Sequence, residues 1–303
     1  MFQEFKTLAD LMVTFQDNEV AIEHFKAIRW RNGAFCPHCE HNKVYGLGRK
    51  GIYRCAKCRK NFSITVGTIF ENTKLPLRIW FGAIWLITNH KKGIASTTLA
   101  TDLGITQKSA WFILHRLRHA ARTKSFNKPL HGTVEVDDTY VGGKAINRHG
   151  RRSGIGGGYG PKTPVVGAVE RSGLTVARVV VDGSKSELQG FIREVVSPKA
   201  EMLVTDSHAA YGKLTGYERH EIINHNRGEY RRGKAHTNSI ESVWALLKRQ
   251  IIGIPHWVSP KHLDRYVGEM TWRLNRRTMD AQDRMNDLLA SVESRLTYRA
   301  LIA

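Results

Sequence analysis

The chain has 303 residues and carries 47 Lys and Arg against 27 Asp and Glu, a formal net charge of +20. With 41% hydrophobic residues it has the apolar material for real cores, which excludes a disordered basic tail. Its length predicts two or three domains. The densest apolar run, residues 79–87, is about half of what crosses a bilayer, and the acids Glu4 and Asp10 do not suit a secretory signal. A soluble, cytoplasmic protein with no membrane partner and an acidic ligand is the expectation. Basic residues without any acid fill 41–70, 103–134 and 142–163, and nucleic acid is the economical polyanion for three such stretches.

In chain order, an N-terminal segment (1–30) precedes all four cysteines. These form Cys36-Pro37-His38-Cys39 and Cys55-Ala56-Lys57-Cys58, with 15 residues between the pairs. Two such knuckles can set four thiolates tetrahedrally around one structural Zn²⁺. Short strands at 44–45, 52–54 and 62–64, punctuated by Gly46, Gly48 and Gly51, complete the outline of a zinc ribbon over 31–70. His38 and His41 read as surface residues, since four thiols already close the site.

Residues 71–128 predict a helical DNA-binding region. An apolar helix spans 77–90; a shorter one at 96–103 then turns at Gly104 into a second, capped by Thr106, over 107–121. This helix-turn-helix pattern directs Gln107, Lys108 and Trp111 toward a major groove and puts Arg116 and Arg118 near phosphates. Plain helical packing has the same outline.

The second half changes character. Strands are predicted at 133–141, 164–170, 174–182, 201–206 and 217–223, with helices at 186–196 and about 239–251. The order βββαβαβα is that of an RNase H-like fold, a mixed five-stranded sheet in which the first and fourth strands are neighbours. Asp137 and Asp206 lie on those two strands and Glu241 opens the last helix. Three carboxylates on different elements suit a pair of Mg²⁺ or Mn²⁺ ions, because phosphodiester cleavage needs one cation at the nucleophile and one at the leaving oxygen. Blander roles exist: Asp206 can start a turn, and Asn238 with Glu241 can form a capping box. Lys248, seven residues past Glu241, falls on the same helical face about 10 Å further along, well set for a phosphate. Ile240, Val243, Trp244, Leu247 and Ile251 make the buried face. Residues 255–303 predict further helices, at 260–276 and 283–292, that cover the sheet or assist dimerisation.

These motifs resemble a family. The chain is similar to bacterial insertion-sequence transposases of the Merlin-like, ISXO-like group, which join a zinc ribbon to a DDE-type nuclease. The resemblance runs through Arg29-Trp30, the Cys36/Cys39 knuckle, Thr68-Ile69-Phe70-Glu71-Asn72-Thr73-Lys74-Leu75-Pro76-Leu77, Val136-Asp137-Asp138-Thr139-Tyr140-Val141-Gly142-Gly143-Lys144 and Thr205-Asp206-Ser207-His208. It is most specific at His236-Thr237-Asn238-Ser239-Ile240-Glu241-Ser242-Val243-Trp244-Ala245-Leu246-Leu247-Lys248-Arg249. It implies catalytic Asp137, Asp206 and Glu241 in a domain at 129–254, with Asp138 standing where the family carries Glu. It also implies binding of inverted-repeat ends, cleavage to free 3′-OH groups, joining to target DNA, and a homodimer or larger assembly that associates with the nucleoid. Arg151 and Arg152 in the glycine-rich loop, Arg231 and Arg232, Lys248 and Arg249, His236 and Asn238 are the expected grip on the DNA backbone. Two other functions fit the same motifs: an RNase H-like nuclease or resolvase that cuts without joining, and a ribbon and helix-turn-helix regulator with an inactive nuclease.

Overall fold

The computed structural model describes residues 4–122, 128–142, 162–212 and 214–303. It divides into two compact units, Met1–Lys124 with Arg276–Ala303, and Ser125–Asn275. Among the described residues no helix is long and apolar enough to cross a membrane.

The first unit is organised around α3 (Leu77–Asn89), ten of whose residues, from Leu77 to Thr88, are buried. A helix apolar on every side has to be a core element. Around it pack α1 (Leu8–Thr14), α2 (Asn18–Arg29), α4 (Ser96–Leu103) and α5 (Gln107–Arg122). Gly82 lets α4 come close, since a Cβ there would lie 2.9 Å from Leu103 Cδ2. Phe15 meets Phe81 edge to face at 4.8 Å and His24 at 5.0 Å, a geometry aromatic pairs favour. Three short antiparallel strands, β1 (Val44–Gly46), β2 (Ile52–Cys55) and β3 (Asn61–Ser63), make the ribbon, close to the expected positions.

The end of the chain returns to this unit. Beyond Arg276, α9 (Ala281–Leu289) packs on α3 and α2, and α10 (Tyr298–Ile302) follows. Ile69 N donates to Val292 O and Ser294 N to Gly67 O, each at 3.0 Å, so the tail is stitched to the segment just after the ribbon. The helices expected as one group over 255–303 are thus divided between the units, because α8 (Pro260–Asn275) belongs to the second.

The second unit holds a five-stranded sheet in the order β6-β5-β4-β7-β8. Its strands are β4 (Thr133–Val141), β5 (Thr163–Glu170), β6 (Thr175–Val179), β7 (Met202–Asp206) and β8 (His220–Ile223). β4 pairs antiparallel with β5 but parallel with β7, so the first and fourth strands are neighbours as the RNase H-like order requires. α6 (Lys185–Val195) covers one face through Leu188, Phe191 and Ile192 against Val134, Val136 and Val166. α7 (Asn238–Gly253) and α8 (Pro260–Asn275) cover the other, with Trp244, Leu247 and Val267 against Val165 and Val169. The edge of β6 is blunted by α8: Asp264 accepts from Val179 N, and Asn275 bonds both the N–H and the C=O of Thr175. The helix expected between the fourth and fifth strands is a single 3-10 turn, Ala209–Tyr211; Gly212 and Gly216 (φ +95°) interrupt that stretch.

Two expected phosphate contacts are corrected here. Arg116 and Arg118 are 5% and 3% exposed. Arg116 donates to the carbonyls of Ile69, Leu296 and Glu71 at 2.6–3.3 Å and stacks on Phe112, its centre 4.4 Å from the ring. The positive charge that reads as a DNA contact in sequence instead closes α5, the linker after the ribbon and the C-terminal tail together. Arg116→Met should therefore cost about 3 kcal/mol of stability through orphaned buried carbonyls. Thermal unfolding would show it, and an unchanged melting temperature together with weakened DNA binding would return Arg116 to the DNA interface.

Candidate active site and zinc centre

The four-cysteine centre is built by two copies of one backbone motif. Cys36 N donates to His41 O and Glu40 N to Cys36 O; Cys55 N donates to Lys60 O and Arg59 N to Cys55 O. Glu40 and Arg59, each directly after the second cysteine of its knuckle, take left-handed φ of 59° and 57°. Folding the knuckles against each other leaves Cys36 Sγ 3.7 Å from Cys58 Sγ and Cys39 Sγ 3.6 Å from Cys55 Sγ. A tetrahedron with Zn–S bonds of ~2.3 Å has edges of about 3.8 Å, so the donor set fits Zn²⁺. Among the described residues, this is the group of three or more potential ligands whose donor atoms all lie within 4.8 Å of one another.

The carboxylates are arranged by strand alternation. Successive β4 side chains point to opposite faces, so Glu135 and Asp137 share one side and Val136 and Asp138 the other. Asp138 accepts from Tyr211 Oη at 2.7 Å, on the α6 side. Asp137 lies on the α7 side, where its Oδ2 accepts from Trp244 Nε1 at 3.0 Å. Gly167, opposite Asp137 on β5, leaves room for that indole, since a Cβ there would sit 2.6 Å from the ring. On the parallel neighbour, Val136 registers with Thr205, so the next pair in step is Asp137 beside Asp206. Asp206 Oδ1 also accepts from His208 N at 3.0 Å, so it does start a turn, at the mouth of the site.

Glu241 lies in the first turn of α7, and its position is set from a distance. The alternative Asn238–Glu241 capping box is absent; the cap residue is Thr237, without a side-chain cap bond. The open amides of Ser239 and Ile240 donate instead to Glu135 Oε2 on β4, at 2.7 and 3.2 Å, and Ser239 Oγ donates to Oε1 at 3.0 Å. Arg171 Nε donates to the same carboxylate at 2.6 Å while its other nitrogens hold the carbonyls of Lys234 and His236. Glu135 is fully buried and binds the positive end of α7, satisfying two of its orphan donors. Glu241 Oε1 accepts from Thr237 Oγ1 at 3.0 Å and lies 3.3 Å from His225 Nε2, which itself bonds Thr237 Oγ1 at 2.9 Å.

The electrostatics follow from the crowding. Burial, then the charges of Asp206 and Asp138, push the Asp137 carboxyl up to about 7. Asp206 is raised too, by burial first and then by the Asp138 charge. Groups that resist ionisation in a cleft are marks of a functional site, and a divalent cation would relieve both. Asp137, Asp206 and Glu241 each offer oxygen donors, the type that suits Mg²⁺ or Mn²⁺, but their oxygens do not all lie within 4.8 Å of one another.

The other expected contacts divide. Lys248 and Arg249 are exposed on α7, Asn238 is exposed at its start, and Gln107 and Lys108 are exposed at the start of α5. Gln107 bonds Ser96 Oγ, and Thr106 caps α5 through Ser109 N as predicted. Arg231 bonds Gly233 O and stays exposed. Arg232 is committed to Glu229, Glu221 and the carbonyl of Ile222, which takes it from the phosphate grip to loop structure. His236, expected to orient Glu241 or touch phosphate, has Nδ1 3.3 Å from Glu135 Oε1. Arg151 and Arg152 lie outside the described residues. His225, Thr237, Glu135 and Tyr211 were not singled out by the sequence. His225 and Tyr211 sit in loops without periodicity, whereas Trp244, one turn from Glu241, was legible as a helix-face neighbour.

Residues 129–275 match the ISXO2-like transposase domain, and residues 16–61 match a transposase zinc-ribbon domain. A protein of Halobacterium salinarum, described as an uncharacterized protein in transposable element ISH50, is 28% identical over 265 residues, covering 82% of this chain and 85% of the relative. Among solved structures, the Mos1 strand transfer complex is similar at 12% identity and TM-score 0.21, covering 75% of this chain and 82% of that one. A pre-cleavage Mos1 transpososome is similar at 11% identity and TM-score 0.22, covering 96% and 94%. Likenesses of that order do not fix a fold, which rests here on strand order and register.

Two outcomes are expected. Stripping zinc with a chelator should unfold the ribbon, seen as loss of its slowly exchanging amides, while the sheet unit keeps its protection. The second concerns pH. An acid held up to about 7 when folded binds more protons folded than unfolded, so its effect on stability worsens as pH rises from about 4 to about 7 and is then constant. The full penalty is on the order of 4 kcal/mol without metal. Asp137→Asn should thus melt several degrees above the wild type at pH 8 without divalent cations, and the gap should close by pH 4. A gap that did not vary with pH would show that Asp137 is not strained by ionisation.

Proposed function

Since the chain carries an ISXO2-like transposase domain behind a transposase zinc ribbon, we propose that it binds the inverted-repeat ends of its element, cleaves there to free 3′-OH groups, and joins them to target DNA. The observation that supports this reading is the shared face: Asp137 and Asp206 in step on parallel neighbours, under the helix whose first turn carries Glu241. Asp137, Asp206 and Glu241 would hold two divalent cations, which supply activation of the attacking oxygen and stabilisation of the leaving one. The same three carboxylates serve both reactions, since each is an in-line transfer at phosphorus with water or a 3′-OH attacking.

The protein's own residues supply position. Trp244 fixes the Asp137 carboxylate by a hydrogen bond that a charged acceptor strengthens. Tyr211 holds Asp138 on the opposite face, so the two adjacent acids do not compete for one ligand position. Thr237 and His225 orient Glu241. Lys248, on the exposed side of α7, meets the phosphate of the strand being cut. The ribbon and the exposed start of α5, with Gln107 and Lys108, read the end sequence, where the first turn of a recognition helix reaches base edges. Two ends must be held at once, so the working form is a homodimer or larger assembly on double-stranded DNA, associated with the nucleoid.

Asp206→Asn should abolish cleavage of an end-containing duplex, by at least about a thousandfold, with end binding retained in a gel-shift assay. Full cleavage by this variant removes Asp206 from the site. A plasmid integration assay with the wild type should give joined products; cutting without joining would make the protein a nuclease instead.

A further inference from the structure

A cleft of about 410 Å³ opens at the C-terminal end of α7, and of its lining residues only Lys248 has been given a role above. Its lining includes Tyr140, Lys162, Lys248, Ile252, His256 and Trp257. The volume lies in the ~300–1,000 Å³ range of pockets that hold small ligands.

Trp257 and Ile252 are 66% and 69% exposed, large apolar surfaces left in water side by side. Single exposed apolar residues are ordinary, but two lining one cleft with exposed lysines mark a binding surface. The backbone under the indole is fixed. His256 takes φ +60°, and its Nδ1–H donates to Ile252 O at 2.7 Å, closing the last turn of the helix. Val258, on the other side, packs into the core with Ile251 and Leu263. The indole is therefore presented on a locked turn, so little ordering entropy opposes its use in binding.

The ligand that complements a presented indole and two ammonium groups is flat, apolar on its faces and anionic at its edge. A nucleotide has that chemistry: bases stack on aromatic faces, and phosphates take lysine ammonium groups. In a paired duplex the base faces are already covered by their neighbours, so the base that enters must be unstacked. We propose that this cleft holds one unpaired nucleobase of a DNA strand, stacked on Trp257, with its flanking phosphates on Lys162 and Lys248. Lys248 stands on the helix that carries Glu241, so such a base would be near the strand undergoing reaction. That last placement rests on the transposase reading; base capture itself does not.

The test is binding by the full-length, zinc-loaded protein without added magnesium, read by fluorescence anisotropy. The probes are a short single strand, the same strand with abasic sites, and the paired duplex. Stacking of one base is worth ~1–3 kcal/mol, so Trp257→Ala should weaken single-strand binding by about tenfold or more, and Trp257→Phe should restore most of it. Ile252→Ser should weaken it in the same direction. The wild type should bind the abasic strand about as weakly as Trp257→Ala binds the normal one, and duplex affinity should stay within about twofold. Equal wild-type affinity for normal and abasic strands overturns the proposal, as does equal loss of duplex and single-strand binding in the variant. Integration assays yielding no joined product, alongside intact Trp257-dependent binding, would sink the transposase reading and leave the base site standing.

Discussion

A single buried carboxylate, Glu135, sets the geometry on which the site depends. It lies in the middle strand of the sheet, wholly removed from water, and receives two main-chain amides and a hydroxyl from the start of α7 together with Arg171. Removing one partner of such a buried ionic group costs about 3–5 kcal/mol, because the charge left behind is uncompensated. Everything functional on α7 inherits its position from this anchor. Strand alternation puts Asp137 on the same face two residues on, and helical periodicity puts Glu241 on the first turn of the helix being held. Arg171 extends the same clamp to the carbonyls of Lys234 and His236, so the segment entering the helix is fixed before its first turn.

The site built on that anchor is unstable by design of its charges. Asp137 and Asp206 stand in step on adjacent parallel strands, and burial together with the charge of nearby Asp138 raises the cost of ionising these two. A fold that wanted only stability would place a hydrophobic residue at the centre of such a sheet. What contains the repulsion is a division of faces: Tyr211 draws Asp138 toward α6, while Trp244, over the bare backbone of Gly167, draws Asp137 toward α7. A small residue on β5 is thus as much a part of the carboxylate site as the acids, because any side chain there would displace the indole that orients one of them.

The elements were legible in the sequence because their signals are local. The β-rich run of β4, a continuous apolar run in β5 and a 3.6-residue stripe in α7 each report burial without knowledge of the partner. The two aspartates were legible because Asp137 lies on, and Asp206 closes, strands that the βββαβ order makes neighbours. What was not legible is long-range. Asn238 and Glu241 have capping-box spacing, yet the amides of α7 go to an acid more than a hundred residues earlier. His225 reaches Glu241 only because β8 lies at the sheet edge and the chain turns back from it toward α7. The C-terminal tail looks like a plain continuation of α8, but hydrogen bonds from residues 67–69 draw it to the first unit.

Positive charge is where sequence and structure diverge most, and the reason is chemical. Arg116, Arg171 and Arg273 are engaged inside the protein, on carbonyls, carboxylates or the amide of Gln250, and Arg232, though exposed, is held by Glu229 and Glu221. A guanidinium has five donors in a rigid fork and can close several carbonyls at once, so a fold that turns many backbone ends inward consumes arginines. An ammonium group is more strongly hydrated and stays in water, as Lys108, Lys162 and Lys248 do. A net charge of +20 therefore overstates the number of phosphates the surface can neutralise, and the salt dependence of DNA binding reports the second quantity, not the first. Between 103 and 134 that distinction separates the exposed start of α5, with Lys108, from its buried middle, with Arg116 and Arg118.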